Sequence, residues 1–133
     1  MEVLLLPLAA EWYALALHQV REVVMAGAIE PLPGAPAPVR GVANLRGEVV
    51  PVLDSARLLG VADTTFDHLV VVESERGICA LTALGRPRTA ALDTPAGPAE
   101  LGPSTGRFSV GNDVVTYVDL AALLAPGRIG DAL

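Results

Sequence analysis

Apolar residues fall along this chain in short runs, each cut off by Gly, Pro, Asn or Asp. That pattern predicts many short strands rather than a few long helices. The candidate strands are 3–8, 12–17, 39–44, 48–53, 68–73, 78–83 and 113–118. Val, Leu and Ile fill most of these positions, and β-branched side chains suit a pleated, half-buried surface. Arg46-Gly47 and Gly111-Asn112 read as tight hairpin turns, because each supplies a glycine for positive φ. Ser74-Glu75-Arg76-Gly77 reads as a third turn. Helical signal is confined to 17–24 and to the short segments after Asp54 and Asp119. Both aspartates are placed to accept an orphan backbone N–H at a helix start, and losing either should cost about 1 kcal/mol.

Two segments break the pattern. Residues 29–39 carry Pro31, Pro33, Pro36 and Pro38. Each proline removes a donor and fixes φ, so this stretch is expected to be an extended, ordered connection, neither helix nor central strand. Residues 94–106 mix Pro95, Pro98 and Pro103 with Gly and Ala and read as a mobile loop.

The chain also repeats itself. Residues 48–60 (EVVPVLDSARLLG) lie over 113–125 (DVVTYVDLAALLA), with six of thirteen positions identical at an offset of 65. Each copy reads as turn, buried strand, Asp cap and one helical turn ending in Leu-Leu. More weakly, Val3 to Leu6 and Trp12 to Leu15 echo Leu69 to Val72 and Ile78 to Leu81, at an offset of 66. The expected organisation is one domain over 1–133, built of two pseudo-repeated sub-barrels with repeat units at about 3–60 and 68–125. Halves of that size are marginal alone and should share a core. Short, curved strands in such number suggest two small barrels.

Composition narrows the class. The 133 residues are 52% hydrophobic, with mean hydropathy +0.50, which is ample for a core. The richest runs, 3–10 and 23–29, are broken by Pro7 and Gly27, far short of the ~18 apolar residues of a membrane span. No basic stretch precedes the first apolar run, so no signal peptide is read. A cytoplasmic protein with no direct membrane insertion is expected. Because Met1 directly precedes the first strand and the chain ends soon after the last helical turn, a stand-alone protein is expected rather than a fragment. The formal charge is −6 and there is no lysine, so the clustered basic surface that nucleic acid requires is missing.

Candidate chemistry is sparse. Cys79 is the single cysteine and lies in an apolar run, the setting of an inert buried thiol. His18 and His68 have no further ligand at metal-binding spacing. No phosphate loop, dinucleotide fingerprint or nucleophile elbow occurs. Asp54 and Asp119 read as caps rather than a carboxylate pair, and Ser104 and Thr105 as loop residues. No catalytic residue, cofactor or metal site is expected. What remains is a polar, turn-rich strip at 40–48, where Arg46 and Asn44 read either as a hairpin charge and a turn former or as part of a binding surface.

That strip resembles the CheW family of chemotaxis adaptors. The matching order is Ile29-Glu-Pro-Leu-Pro33, then Gly41-Val-Ala-Asn-Leu-Arg-Gly47, then Val49-Val-Pro-Val-Leu-Asp54, with Val20-Arg-Glu-Val23 upstream. The resemblance is long and ordered over 3–60, moderate over 113–124 and poor between about 61 and 112. It implies an all-β fold with short helices, of two five-stranded SH3-like β-barrels. It also implies a non-catalytic scaffold in chemosensory signal transduction. Its partners would be a chemoreceptor cytoplasmic tip and the regulatory domain of a CheA-type histidine kinase. By matching position, Val20, Glu22, Gly41, Val42, Asn44 and Arg46 fall in partner-binding segments, with Asn44 and Gly47 shaping the turn. One departure stands out: Leu84 occupies the place where the family usually has Asp. That leaves open a divergent module for surface-motility signalling, or a regulatory domain acting apart from its kinase.

Overall fold

The computed structural model describes residues 1–8, 11–62, 65–92, 95–97 and 104–126. Eleven strands and two short helices are found among them. They are β1 (Glu2–Leu8), β2 (Glu11–Ala16), β3 (Val20–Met25), β4 (Val39–Leu45), β5 (Glu48–Leu53), α1 (Ser55–Leu59), β6 (His68–Ser74), β7 (Gly77–Ala83), β8 (Arg88–Ala91), β9 (Pro95–Gly97), β10 (Ser104–Val110), β11 (Asp113–Val118) and α2 (Leu120–Leu123).

The strands form two sheets, in the orders β8-β1-β2-β11-β10-β9 and β3-β6-β7-β5-β4. The barrel boundary is therefore not the repeat boundary. Each sheet takes its first hairpin from one copy of the repeat and its last hairpin from the other. The junctions are parallel and fall in equivalent register: Tyr117 lies opposite Ala14 in one sheet, and Val52 opposite Ala80 in the other. Those positions are related by the same offsets of 65 and 66 that relate the sequence copies. The extra strand of the first sheet has a reduced counterpart in the second, where Glu30 makes an isolated bridge to Val42. Two SH3-like barrels, as the resemblance implies, are therefore found, with six strands in the first sheet and five in the second, but each is assembled from both repeat units rather than from one.

Alternation along each strand assigns its two faces to different cores. Val3 and Leu5 point into the first barrel with Ala14 and Val115. Leu4, Leu6 and Leu8 point the other way, into a seam shared with Val70, Val72, Leu81 and Leu53. In the second barrel Leu69 and Val71 face inward with Val50, Val52 and Ala80. Central strands are thus buried on both faces, which is why they read as unbroken apolar runs. The seam between barrels also takes Leu58 of α1 and Leu120, Leu123 and Leu124 at α2. Interleaved pairing and a common seam make the two barrels one mechanical unit.

Both helices start at the expected caps. Asp54 Oδ1 accepts the Arg57 N–H at 3.2 Å, and Asp119 Oδ1 accepts the Ala121 N–H at 3.0 Å. The expected helix at 17–24 is not formed. Only a single 3-10 turn, Leu17–Gln19, precedes β3, whose alternating burial suits a barrel edge strand. Val20, Val23 and Val24 favour that outcome, because β-branched side chains lose χ1 freedom in a helix. The loop expected at 94–106 contains β9 and the start of β10; β9 pairs with β10 at Arg107 and Phe108. The remainder of that stretch, 94 and 98–103, lies outside the described residues.

Candidate functional site

The 40–48 strip folds as the β4–β5 hairpin. Leu45 pairs with Glu48, leaving Arg46-Gly47 as a two-residue turn. Arg46 has φ 55° and Gly47 φ 85°. Two consecutive left-handed residues give the turn whose twist matches the flanking strands. Arg46 is the only non-glycine with positive φ among the described residues. Asn44 supports the turn, its Oδ1 accepting the Gly47 N–H at 2.9 Å. Asn44 is thus a turn former, and its amide is engaged locally.

Arg46 stands at the apex with its side chain 81% exposed. It reaches across the barrel end to Glu22 on β3, with Nη2 3.1 Å from Oε1 and Nη1 3.4 Å from Oε2. Glu22 is the more sheltered partner, its side chain 25% exposed. A second pair runs beside the first, from Arg21 to Glu48 at 3.5 Å. A bulge between Val20 and Glu22 inserts Arg21 into β3. It thereby presents consecutive charges of opposite sign to the hairpin. The two pairs frame a cavity of about 220 Å³, with Leu45, Val50, Val71 and Ile78 in its lining. Val49, 64% exposed, lies on the opposite face of β5 from Glu48 and Val50. The arrangement is a charged rim over a small apolar floor, in which Val50 and Val71 are each buried.

The other candidate residues divide between contact and framework. Gly41 has φ 147°, and a Cβ there would overlap the Glu30 carbonyl. That close approach is held by reciprocal backbone hydrogen bonds between Glu30 and Val42, at 2.8 and 2.9 Å. Gly41 therefore lets the proline-rich connection lie against β4. Val42 is half-buried at the same contact. Val20, also half-buried, packs against the seam between the barrels. Of the six residues named from the sequence, the structure brings Glu22 and Arg46 into direct contact. It puts Gly41, Val42 and Asn44 into the hairpin that presents them, and Val20 at the seam. Sequence reasoning missed Arg21 and Glu48 as site residues. Arg21 was covered by the helical reading of 17–24, and Glu48 lay in the expected strand 48–53 with nothing local to name its partner.

Groups that could have carried other chemistry are otherwise engaged. Cys79 is buried in the seam, and burial pushes its thiol up to about 12. Asp67 accepts the Gly85 N–H at 2.8 Å and contacts His68 Nδ1 at 2.9 Å; the first of these bonds, then the second, lowers its carboxyl below the ordinary range. Asp54 holds Arg40 and Arg57 at 3.6 and 3.7 Å besides capping α1. Leu84 is half-buried, and its N–H donates to the Pro7 carbonyl at 2.9 Å, so the position that departs from the expected Asp ties the two sheets together.

The family model of the CheW-like domain matches residues 2–126. A chemotaxis protein CheW of Rhizobium meliloti (strain 1021) is 48% identical over 44 residues, 32% of this chain and 28% of that protein. A chemotaxis protein CheW of Treponema pallidum (strain Nichols) is 32% identical over 60 residues, 45% of this chain and 35% of that protein. The matched stretches span about a third of either relative. Among solved structures, scaffolding protein TtCheW from Thermoanaerobacter tengcongensis superposes with a TM-score of 0.73 at 21% identity, over 88% of this chain and 87% of that one. That likeness carries the fold, two SH3-like barrels.

Proposed function

The chain belongs to the CheW-like domain family, and from that premise we propose that it is a non-catalytic adaptor in bacterial chemosensory signalling. In this reading it couples the cytoplasmic tip of a chemoreceptor to the regulatory domain of a CheA-type histidine kinase. The observation that carries the reading is the Arg46–Glu22 patch, an exposed guanidinium over an apolar-floored cavity on a hairpin of the family's sequence pattern. Arginine is enriched among the hot spots of protein interfaces. The barrels add the mechanical part. Because they share a seam and exchange hairpins, partners docked on separate faces are held at a fixed separation. No described helix is long and apolar enough to cross a membrane, which accords with an adaptor recruited to membrane receptors from the cytoplasm.

The test is calorimetric titration of the protein with a receptor cytoplasmic fragment and, separately, with a kinase regulatory domain, followed by a three-component pull-down. Binding of both, with a ternary complex recovered, supports the adaptor. Binding of neither overturns it. Binding of the kinase domain alone would favour a regulatory domain acting apart from its kinase. A divergent array, such as one for surface motility, is the alternative to the flagellar kind that the Leu84 departure leaves open. Matched receptor fragments from both kinds of system distinguish the two.

A further inference from the structure

On the far side of the β6–β7 hairpin from the Arg46 patch lies a second cleft of about 220 Å³. Its lining comes from three places: Gln19 of the 3-10 turn, Ser74, Glu75 and Arg76 at the hairpin tip, and Leu124 and Pro126 after α2. The Nε atom of Arg76 is buried and has no hydrogen-bond partner among the described residues. Arg76 also takes no part in the ion pairs found among them. A buried N–H on a charged guanidinium carries its full desolvation cost unless an acceptor arrives. The hairpin is built to hold this residue in place. Ser74 Oγ accepts the Arg76 backbone N–H at 3.2 Å and donates to the Gly77 carbonyl at 3.3 Å, closing the turn.

We propose that this cleft receives a carboxylate side chain, Glu or Asp, from a protein partner, and that Arg76 is the residue that selects for it. Three observations converge on that occupant. The cavity is smaller than the roughly 300–1,000 Å³ of small-molecule sites and suits one inserted side chain. Its walls include Ala121, Leu124 and Pro126, which fit an aliphatic stem. Its unmatched polar atom is the Nε of Arg76, on a guanidinium whose planar fork favours a two-point bond to a carboxylate. Glu75 also lines the cleft but makes no pair with Arg76, so the guanidinium keeps its charge available. The position is not part of the repeated framework, because 66 residues earlier the other copy has Ala10. Ile78 and Val71 of the same hairpin line the Arg46 cavity. One hairpin therefore separates two charged sites, as an adaptor holding two partners at once would need; to that extent the inference rests on the adaptor reading.

The test uses the whole chain as wild type, Arg76→Glu, Arg76→Lys and Arg46→Ala, each titrated with a receptor cytoplasmic fragment and with a kinase regulatory domain. Thermal melts confirm that each variant folds. Arg76→Glu is expected to weaken one partner by about tenfold or more and leave the other unchanged. Arg76→Lys, which keeps the charge but loses the fork, should weaken the same partner less. Changing the responsible partner carboxylate to Arg should restore binding to Arg76→Glu. The Arg76 Nε–H resonance should move downfield when that partner is added to wild type. If wild type binds both partners and Arg76→Glu binds both equally well, the site is overturned and the adaptor reading stands. If wild type binds neither, both fall. Millimolar or tighter binding of free N-acetylglutamate at the cleft, without effect on either protein partner, would replace the proposal by a small-molecule site.

Discussion

The guanidinium of Arg46 and the carboxylate of Glu22 meet at 3.1 Å across the end of the second barrel, although 24 positions separate them in the chain. The pair links the hairpin apex to the edge strand β3, yet Arg46 itself stays largely in solvent. Exposed ion pairs contribute at most about 1 kcal/mol to stability. Arg46→Ala should therefore leave the thermal midpoint nearly unchanged. If Arg46 anchors a partner, the same change should lower affinity by about tenfold or more. Unchanged affinity for both receptor fragment and kinase domain would remove Arg46 from the interface. An unfolded Arg46→Ala protein would show that the arginine is structural.

Gly41 should behave in the opposite way. Any side chain there must adopt a strained φ and meet the Glu30 carbonyl. Strain and overpacking together should cost roughly 2–4 kcal/mol. Gly41→Ala is thus expected to lower the midpoint of urea unfolding, with slower or weaker partner binding following from a displaced hairpin. A variant that unfolds like wild type but no longer binds would instead make Gly41 a contact residue.

Much of this was legible in the sequence, for physical reasons that differ by element. The hairpin at Arg46-Gly47 and the caps at Asp54 and Asp119 are local devices, and local devices leave local signatures. The repeat was visible because both copies must satisfy the same turn, buried strand and cap. The exchange of hairpins between copies was not visible. Val52 opposite Ala80 and Tyr117 opposite Ala14 are long-range pairings, and alternation along a strand does not say which strand lies beside it. Strand β3 is hard to read from sequence because the residues just before it, Leu17–Gln19, do turn, and the apolar residues that follow fit either period. Arg21 and Glu48 entered the site only once that strand was placed. Arg76 carried no signal beyond a turn, since its burial depends on Gln19 and α2 packing nearby.

The two caps should differ in strength although they occupy equivalent positions. Asp119 is exposed, and its side chain bonds the Ala121 N–H. Asp54 is 6% exposed and also faces Arg40 and Arg57. Removing Asp119 should cost about 1 kcal/mol. Removing Asp54 should cost about 2 kcal/mol, because it also unpairs two guanidinium groups. Chemical denaturation of Asp54→Ala and Asp119→Ala decides this. Equal losses would mean that the Arg40 and Arg57 contacts contribute nothing.

Cys79 supplies a pH dependence that can be isolated cleanly. Burial raises its thiol from the ordinary 9.0 to about 12, since the seam between the barrels disfavours a thiolate. A group whose folded value is raised stabilises the fold fully below its unfolded value and loses that contribution as pH climbs through the folded value. Stability should therefore fall between pH 9 and about 12. The chain has no lysine, so no lysine titration overlaps this window. Tyr117 also has a raised value, from burial and then from the nearby Asp119 charge, and it will add to the slope. Comparing wild type with Cys79→Ala separates the two contributions. The variant should be less stable at pH 7 by about 1 kcal/mol for the lost packing, and its stability should decline less steeply above pH 9. Native protein at pH 8 should also resist thiol reagents until it is unfolded. Equal slopes for the two proteins, or rapid labelling of the native state, would place the Cys79 thiol in contact with solvent and outside the seam.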